Sequence, residues 1–231
     1  MGVSKILRLF RGAKKHDSGY ETKPSGFSGD GHRAYIGGMW DEIGELQFNF
    51  LVEQGLQPFH TVIDVGCGSL RGGVRFIDYL EPFKYFGTDI NRTLIDRGLE
   101  LELDEDSRKK VGSDSFIVSD DFEFGFDVVG FDYGLALSVF THLSGPRIEQ
   151  CLRNLRPKFA GGKFFATFFI VNEEECAGKV NQKGGVMTFP DQDPFHFTLA
   201  QVSDMARNTG WEADFIGDFD HPRNQKMMLF R

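Results

Sequence analysis

Thr61-Val62-Ile63-Asp64-Val65-Gly66-Cys67-Gly68-Ser69-Leu70-Arg71-Gly72-Gly73 decides the fold. An apolar run of strand length ends near an acid, turns through Gly-x-Gly, and opens a helical pattern over 70–80. Gly66 and Gly68 allow a tight turn and a close approach of backbone to a ligand. A second short apolar run, Tyr85-Phe86-Gly87-Thr88, is closed by Asp89, with Ile90 beside it. A carboxylate there can accept both hydroxyls of a ribose. The series strand, turn, helix, strand, acid therefore reads as a nucleoside-binding unit walled by Asp64, Gly66, Gly68, Asp89 and Ile90.

Outward from this unit the chain alternates between short apolar runs and helical patterns. Strands are predicted over 116–118, 131–137 and 163–171, and helices over 92–103 and 146–159. Such alternation specifies an α/β fold, a Rossmann-like domain whose mostly parallel sheet carries helices on both faces. Upstream, Trp40, Ile43, Leu46, Phe50 and Leu51 recur at helical spacing and predict an amphipathic helix over 39–56. Downstream, a loop over 172–194 leads to a helix over 199–209. Strands over 211–216 and 226–230 follow with only a short connection between them, so they should pair antiparallel.

Composition narrows the function. A chain of 231 residues accommodates one substantial domain, and 40% hydrophobic with 26% charged residues is ordinary for a globular protein. The 25 phenylalanines predict an aromatic core. A net charge of −8 disfavours nucleic acid as partner, because phosphate affinity comes from Lys and Arg. Cys67, Cys151 and Cys176 are too scattered for a zinc site or disulfide framework, which points to a reducing, cytoplasmic setting. No apolar run approaches the roughly 18 residues of a membrane span. Residues 1–32 read as a basic N-terminal tail and linker. Its Ile6, Leu7, Leu9 and Phe10, mixed with Lys and Arg, suit either a loosely ordered tail or a weak contact with an anionic membrane surface. Met1-Gly2 begins a myristoylation-like pattern, but Ile6 stands where Ser or Thr is needed.

The turn also discriminates between ligands. Nicotinamide enzymes place a diphosphate over G-x-G-x-x-G, whereas here the third glycine comes later, Gly66-x-Gly68-x-x-x-Gly72. Asp64 would repel a diphosphate but suits the cationic amino end of S-adenosylmethionine. Over 33–231 the sequence resembles the class I S-adenosylmethionine-dependent methyltransferases. Asp64-Val65-Gly66-Cys67-Gly68 looks like their first motif and Asp89 like their ribose-binding acid. The stretch from Phe131 through Ser138-Val139-Phe140-Thr141-His142-Leu143 is similar to their fourth strand and following turn, and Gly161-Gly162 stands where many have Pro-Gly-Gly. The resemblance implies a seven-stranded sheet with six parallel strands and an antiparallel C-terminal strand. It also implies Asp120, Asp121 or neighbouring Phe122 near the adenine amino group, Ser138 on the cofactor wall, a lid over 33–56 and an acceptor loop over 172–198. In the lid, Arg33 would pair with the methionine carboxylate, with Arg71 as a competing partner, and Trp40 would pack on the methionine chain or in the core.

Methyl transfer from a sulfonium is a direct displacement, to which positioning can contribute about 7–11 kcal/mol. A hydroxyl acceptor also needs a general base, and His suits neutral pH. His142, His196 and His221 are the candidates, all expected near the carboxyl edge of the sheet. No Asn/Asp-Pro-Pro-Tyr or Pro-Cys motif suggests nucleobase methylation, and no carboxylate cluster calls for magnesium, although Asp191 and Asp193 leave that open. The leading expectation is methylation of a hydroxyl or other nucleophile on a small molecule or glycan. Alternatives are a protein or membrane-associated acceptor, and a non-catalytic S-adenosylmethionine-binding module.

Overall fold

The computed structural model describes residues 31–231; the predicted tail, its membrane-surface contact and its myristoylation-like start lie outside the described residues. Helices α1 (Gly31–Tyr35) and α2 (Trp40–Glu53) precede β1 (Val62–Val65), α3 (Gly73–Tyr79), β2 (Tyr85–Asp89), α4 (Arg92–Leu101), α5 (Glu105–Arg108) and β3 (Phe116–Val118). There follow β4 (Tyr133–Ala136), α6 (Gly145–Leu155), β5 (Lys163–Ile170), and the two-residue strands β6 (Val180–Asn181), β7 (Met187–Thr188) and β8 (His196–Phe197). The chain ends with α7 (Leu199–Asn208), β9 (Ala213–Gly217) and β10 (Lys226–Phe230).

The main sheet runs β3-β2-β1-β4-β5-β10-β9, with β8 added beside β5. β1 is buried along its whole length, which is why it reads as an unbroken apolar run interrupted only by Asp64. It pairs in parallel with β2 (Ile63 opposite Phe86) and with β4 (Ile63 opposite Gly134). β10 runs antiparallel to both β5 and β9, so it lies inside the sheet and β9 forms the edge. This is the expected pairing of the last two strands. The order turns back between β1 and β4, and the crevice outside the carboxyl ends of the strands at such a switch point is where α/β sheets bind ligands.

The phenylalanines form two layers, one on each face of the sheet. Phe164 and Phe165 are neighbours on β5, so their side chains point to opposite faces. Phe164 packs against Phe159, Trp211 and Phe230 at ring separations of 5.9, 6.1 and 6.0 Å. Phe165 meets Phe50 of α2 edge-on at 5.1 Å. Each buried ring contributes about 1.5–3 kcal/mol through loss of apolar surface from water. The inward stripe of α2, Ile43, Gln47, Phe50 and Leu51, thus holds that helix on one face of the sheet, its C-terminal carbonyl at Gln54 accepting from Tyr133 and Lys163 at the amino ends of β4 and β5. Among the described residues, no helix is long and apolar enough to cross a membrane.

Two regions carry more structure than the sequence reading gave them. Gly31 and His32, assigned to the linker, belong to α1, where buried His32 lies 2.6 Å from Glu102. The loop over 172–194 contains the small β6–β7 hairpin, in which Gln182 Nε2 donates to the Thr188 hydroxyl at 3.1 Å.

Candidate active site

The turn after β1 is built on backbone geometry that glycine supplies. Gly66 and Gly68 have φ of 75° and 53°, in the left-handed region. A Cβ at Gly66 would lie 2.4 Å from Val139 Cγ2, so the close approach of the turn past β4 also requires its absence. Gly66 and Cys67 both donate to the Thr88 carbonyl, at 2.7 and 3.0 Å, joining the turn to the end of β2. Asp89 completes the joint: one carboxylate oxygen accepts from Gly68 N at 2.9 Å and the other from Asn91 N at 2.8 Å. Asn91 in turn caps α4, accepting from Thr93 N at 3.0 Å.

These groups wall a cavity of about 180 Å³ along the carboxyl edge of the sheet. Toward β3 it is bounded by Leu94, Ser119, Phe122 and Leu143, and toward α2 by Ile43, Gln47, Asp64 and Arg71. Asp64, Gly66, Gly68, Asp89, Ile90, Ser138, Arg71 and His142 all stand on its wall. Asp64 accepts from the Tyr85 hydroxyl at 2.8 Å. Burial lifts its pKa to about 6; the Tyr85 bond opposes the rise, Asp89 adds to it and Arg71 opposes it. Burial also raises Asp89, against the pull of the backbone N–H groups of Asn91, Gly68 and Ile90.

A strap at 36–38 borders this cavity at Ile36. Arg71 Nη1 donates to the carbonyls of Gly38 and Ile36 at 3.0 and 3.3 Å, and Arg223 Nη2 to that of Gly37 at 3.0 Å. Gly37, Gly38 and Met39 have φ of 94°, 64° and 47°, three left-handed residues in succession. The predicted lid residues are placed differently from expectation. Arg33 forms a forked pair with Glu102 at 2.7 and 2.5 Å and lies 4.6 Å over the Trp40 ring; neither residue is on the cavity wall. Burial works against ionisation of Glu102, but its hydrogen bonds to Arg33 and His32 outweigh this and lower its pKa.

The three histidines separate clearly. His142, in the turn after β4, stands on the wall with Nδ1 2.6 Å from Asp193 Oδ1. His196 is a core residue: its ring nitrogens lie 2.9 Å from the Thr188 hydroxyl and 3.3 Å from the Cys176 carbonyl, and β8 holds it beside β5 away from the cavity. His221 accepts from Arg223 N at 3.2 Å through Nδ1 and is also off the wall. Burial, then Arg71 and Arg223, lower its pKa to about 4. Asp120 and Asp121 are exposed, with the Asp121 carboxylate accepting from the Ser119 hydroxyl at 2.8 Å; flanking Ser119 and Phe122 reach the cavity instead. Sequence reasoning missed Gln47, Asn91, Arg147 and Arg223, named Phe122 as an alternative to Asp120 and Asp121, and named Asp193 only as a possible metal ligand. Only Gln47 left a signal, as a polar residue on the apolar stripe of α2.

No protein-family model matches the sequence. Solved structures do resemble the fold. Magnesium protoporphyrin IX methyltransferase ChlM from Synechocystis PCC 6803 with bound SAM aligns at a TM-score of 0.57 and 12% identity, over 90% of this chain and 86% of that one. The CcbJ methyltransferase from Streptomyces caelestis aligns at 0.60 and 14% identity, over 81% and 88%. The DhpI–SAH complex aligns at 0.54 and 16% identity, over 86% of each chain. With its strand order, its antiparallel β10 and its glycine turn at the switch point, the chain has the fold of the class I S-adenosylmethionine-dependent methyltransferases.

Proposed function

We propose that the protein is an S-adenosylmethionine-dependent methyltransferase acting on a hydroxyl or similar nucleophile of a small molecule or glycan. One observation carries this reading: a single cavity holds two carboxylates, buried Asp64 and half-buried Asp89, beside the glycine turn, with His142 of the His142–Asp193 pair in the same wall. Paired carboxylates fit a cationic ligand bearing hydroxyls and repel the diphosphate of a dinucleotide. Asp89 keeps acceptor capacity for ribose hydroxyls beyond its two backbone bonds, since an ionised carboxylate offers about four lone-pair sites. Ser119, Phe122, Leu94 and Leu143 line the cavity and offer a base a largely apolar surface. When bound, S-adenosylmethionine supplies an electrophilic methyl group.

The chain's own contribution is to orient the acceptor and take its proton. Anionic Asp193 fixes the proton of His142 on Nδ1, which leaves Nε2 as the basic nitrogen. His142 is thereby placed to take the proton of an acceptor hydroxyl, and His221, held neutral, adds no competing charge. The strap at 36–38 helps exclude water.

Calorimetric titration with S-adenosylmethionine, S-adenosylhomocysteine and NADH tests the ligand. Micromolar binding of the first two with none of NADH supports the reading, and the reverse sinks it. The base assignment is tested by S-adenosylhomocysteine formation with a panel of phenols and sugars. His142→Ala should lose about 100-fold or more in turnover, with cofactor affinity retained. His196→Ala should instead act through stability, and loss of turnover in a folded His196→Ala protein would reverse the assignment.

A further inference from the structure

Gln47 interrupts the apolar stripe of α2 and is only 4% exposed. It stands on the cavity wall, yet its side-chain amide has no hydrogen-bond partner among the described residues. Its amide atoms are not sealed off from solvent, and so open onto the cavity. Its neighbour has also given way to it: a Cβ on Gly72 would lie 2.3 Å from Gln47 Cδ and Nε2. The glycine at 72, read from the sequence only as part of the turn, is what lets the amide lie against the start of α3.

The position of Gln47 along the cavity identifies what it meets. Asp89 marks the ribose at the end of β2, and Ser119 with Phe122 mark the base toward β3. The remaining end, toward α2, is bounded by Ile43, Gln47, Asp64 and Arg71. We propose that Gln47 recognises the α-amino-acid end of the ligand, Nε2 donating to its carboxylate and Oε1 accepting from its ammonium. A primary amide carries a donor and an acceptor on separate atoms, so one neutral side chain can serve both halves of a zwitterion at once. Asp64 supplies negative charge for the ammonium and Arg71 positive charge for the carboxylate, while the Arg71 guanidinium also holds the strap carbonyls of Ile36 and Gly38. This inference rests on the S-adenosylmethionine reading, and it moves the recognition of the amino-acid end from Arg33 to α2.

The test compares two ligands with the same nucleoside and thioether. S-adenosylhomocysteine carries the amino-acid end, and 5′-methylthioadenosine lacks it. Calorimetry on the unaltered protein and on Gln47→Met should show S-adenosylhomocysteine weakened about tenfold or more, and 5′-methylthioadenosine changed by less than about twofold. Gln47→Asn, shorter by one methylene, keeps the amide but withdraws it, and carries the same expectation if Gln47→Met unfolds early. Equal weakening of both ligands, or undiminished S-adenosylhomocysteine binding, overturns the inference while leaving the cofactor reading intact. Binding of neither ligand by the unaltered protein overturns the cofactor reading itself, and this inference with it.

Discussion

Asp64 is a carboxylate whose environment favours its neutral form until a cation arrives. Its pKa rises from 3.8 to about 6 on burial, so its proton is held more tightly in the folded chain than in the unfolded one. The stability this confers is present in acid and falls as pH rises from about 4 to about 6, by about 3 kcal/mol. A ligand ammonium beside it reverses the preference, so binding should expel a proton. S-adenosylhomocysteine affinity should therefore climb between pH 5 and 7 and level off above. His221, neutral above about pH 4, contributes no charge change in that window. Asp64→Asn should flatten the climb, and an unchanged pH profile in that variant would place the ammonium elsewhere. Asp89 does a second job, since it also joins Gly68 to Asn91. Asp89→Ala should weaken the same ligand by about 1.5–3 kcal/mol, the range of a charged hydrogen bond, and lower the melting temperature as well. Both acids were legible in the sequence because they sit beside glycines in a strand-turn pattern. Asp193 was noted only as a metal candidate, since its partner His142 comes from a different crossing of the sheet and no local pattern links them.

Among the elements, strands and long helices were legible wherever burial imposed a period. β3, predicted over 116–118, spans Phe116–Val118, and the helix predicted over 92–103 is α4, Arg92–Leu101. Shorter pieces held by single contacts were not. α1 has five residues, too few to show a period, and exists because His32 and Arg33 dock on Glu102 at the end of α4. The strands of the β6–β7 hairpin have two residues each, and Thr188, Gln182 and His196 hold them through side-chain bonds. The docking of α1 has a consequence for the strap that follows it. Glu102→Gln replaces a charged fork with neutral bonds and should cost about 1–2 kcal/mol, discounted because Arg33 is itself partly exposed. That loss should be local: hydrogen exchange at 31–38 should speed up while β1 and β5 stay protected. Equal acceleration in the sheet would mean that α1 is part of the global fold and not a separately anchored lid.

At the scale of the whole molecule, the sheet divides the core into two layers that meet different parts of the site. One layer carries Phe165, Phe50 and the inward face of α2, and so supports Ile43 and Gln47. The other carries Phe164, Phe159, Trp211 and Phe230, and extends to Phe140 in the turn that ends at His142. Such a division follows from the alternation of side chains along β5, so two consecutive residues should have separable effects. Phe164→Leu and Phe165→Leu each trade a ring for a smaller side chain and should each cost about 1–3 kcal/mol in urea denaturation. Their functional effects should diverge. Phe165→Leu loosens α2 and should weaken S-adenosylhomocysteine several-fold while the His142–Asp193 pair stays in place. Phe164→Leu leaves α2 seated and should change that affinity by less than about twofold, with its effect falling on turnover through the Phe140 turn. Equal losses of affinity in the two variants would show that the layers act as one body, and that the placement of Gln47 does not depend on the face to which α2 is packed.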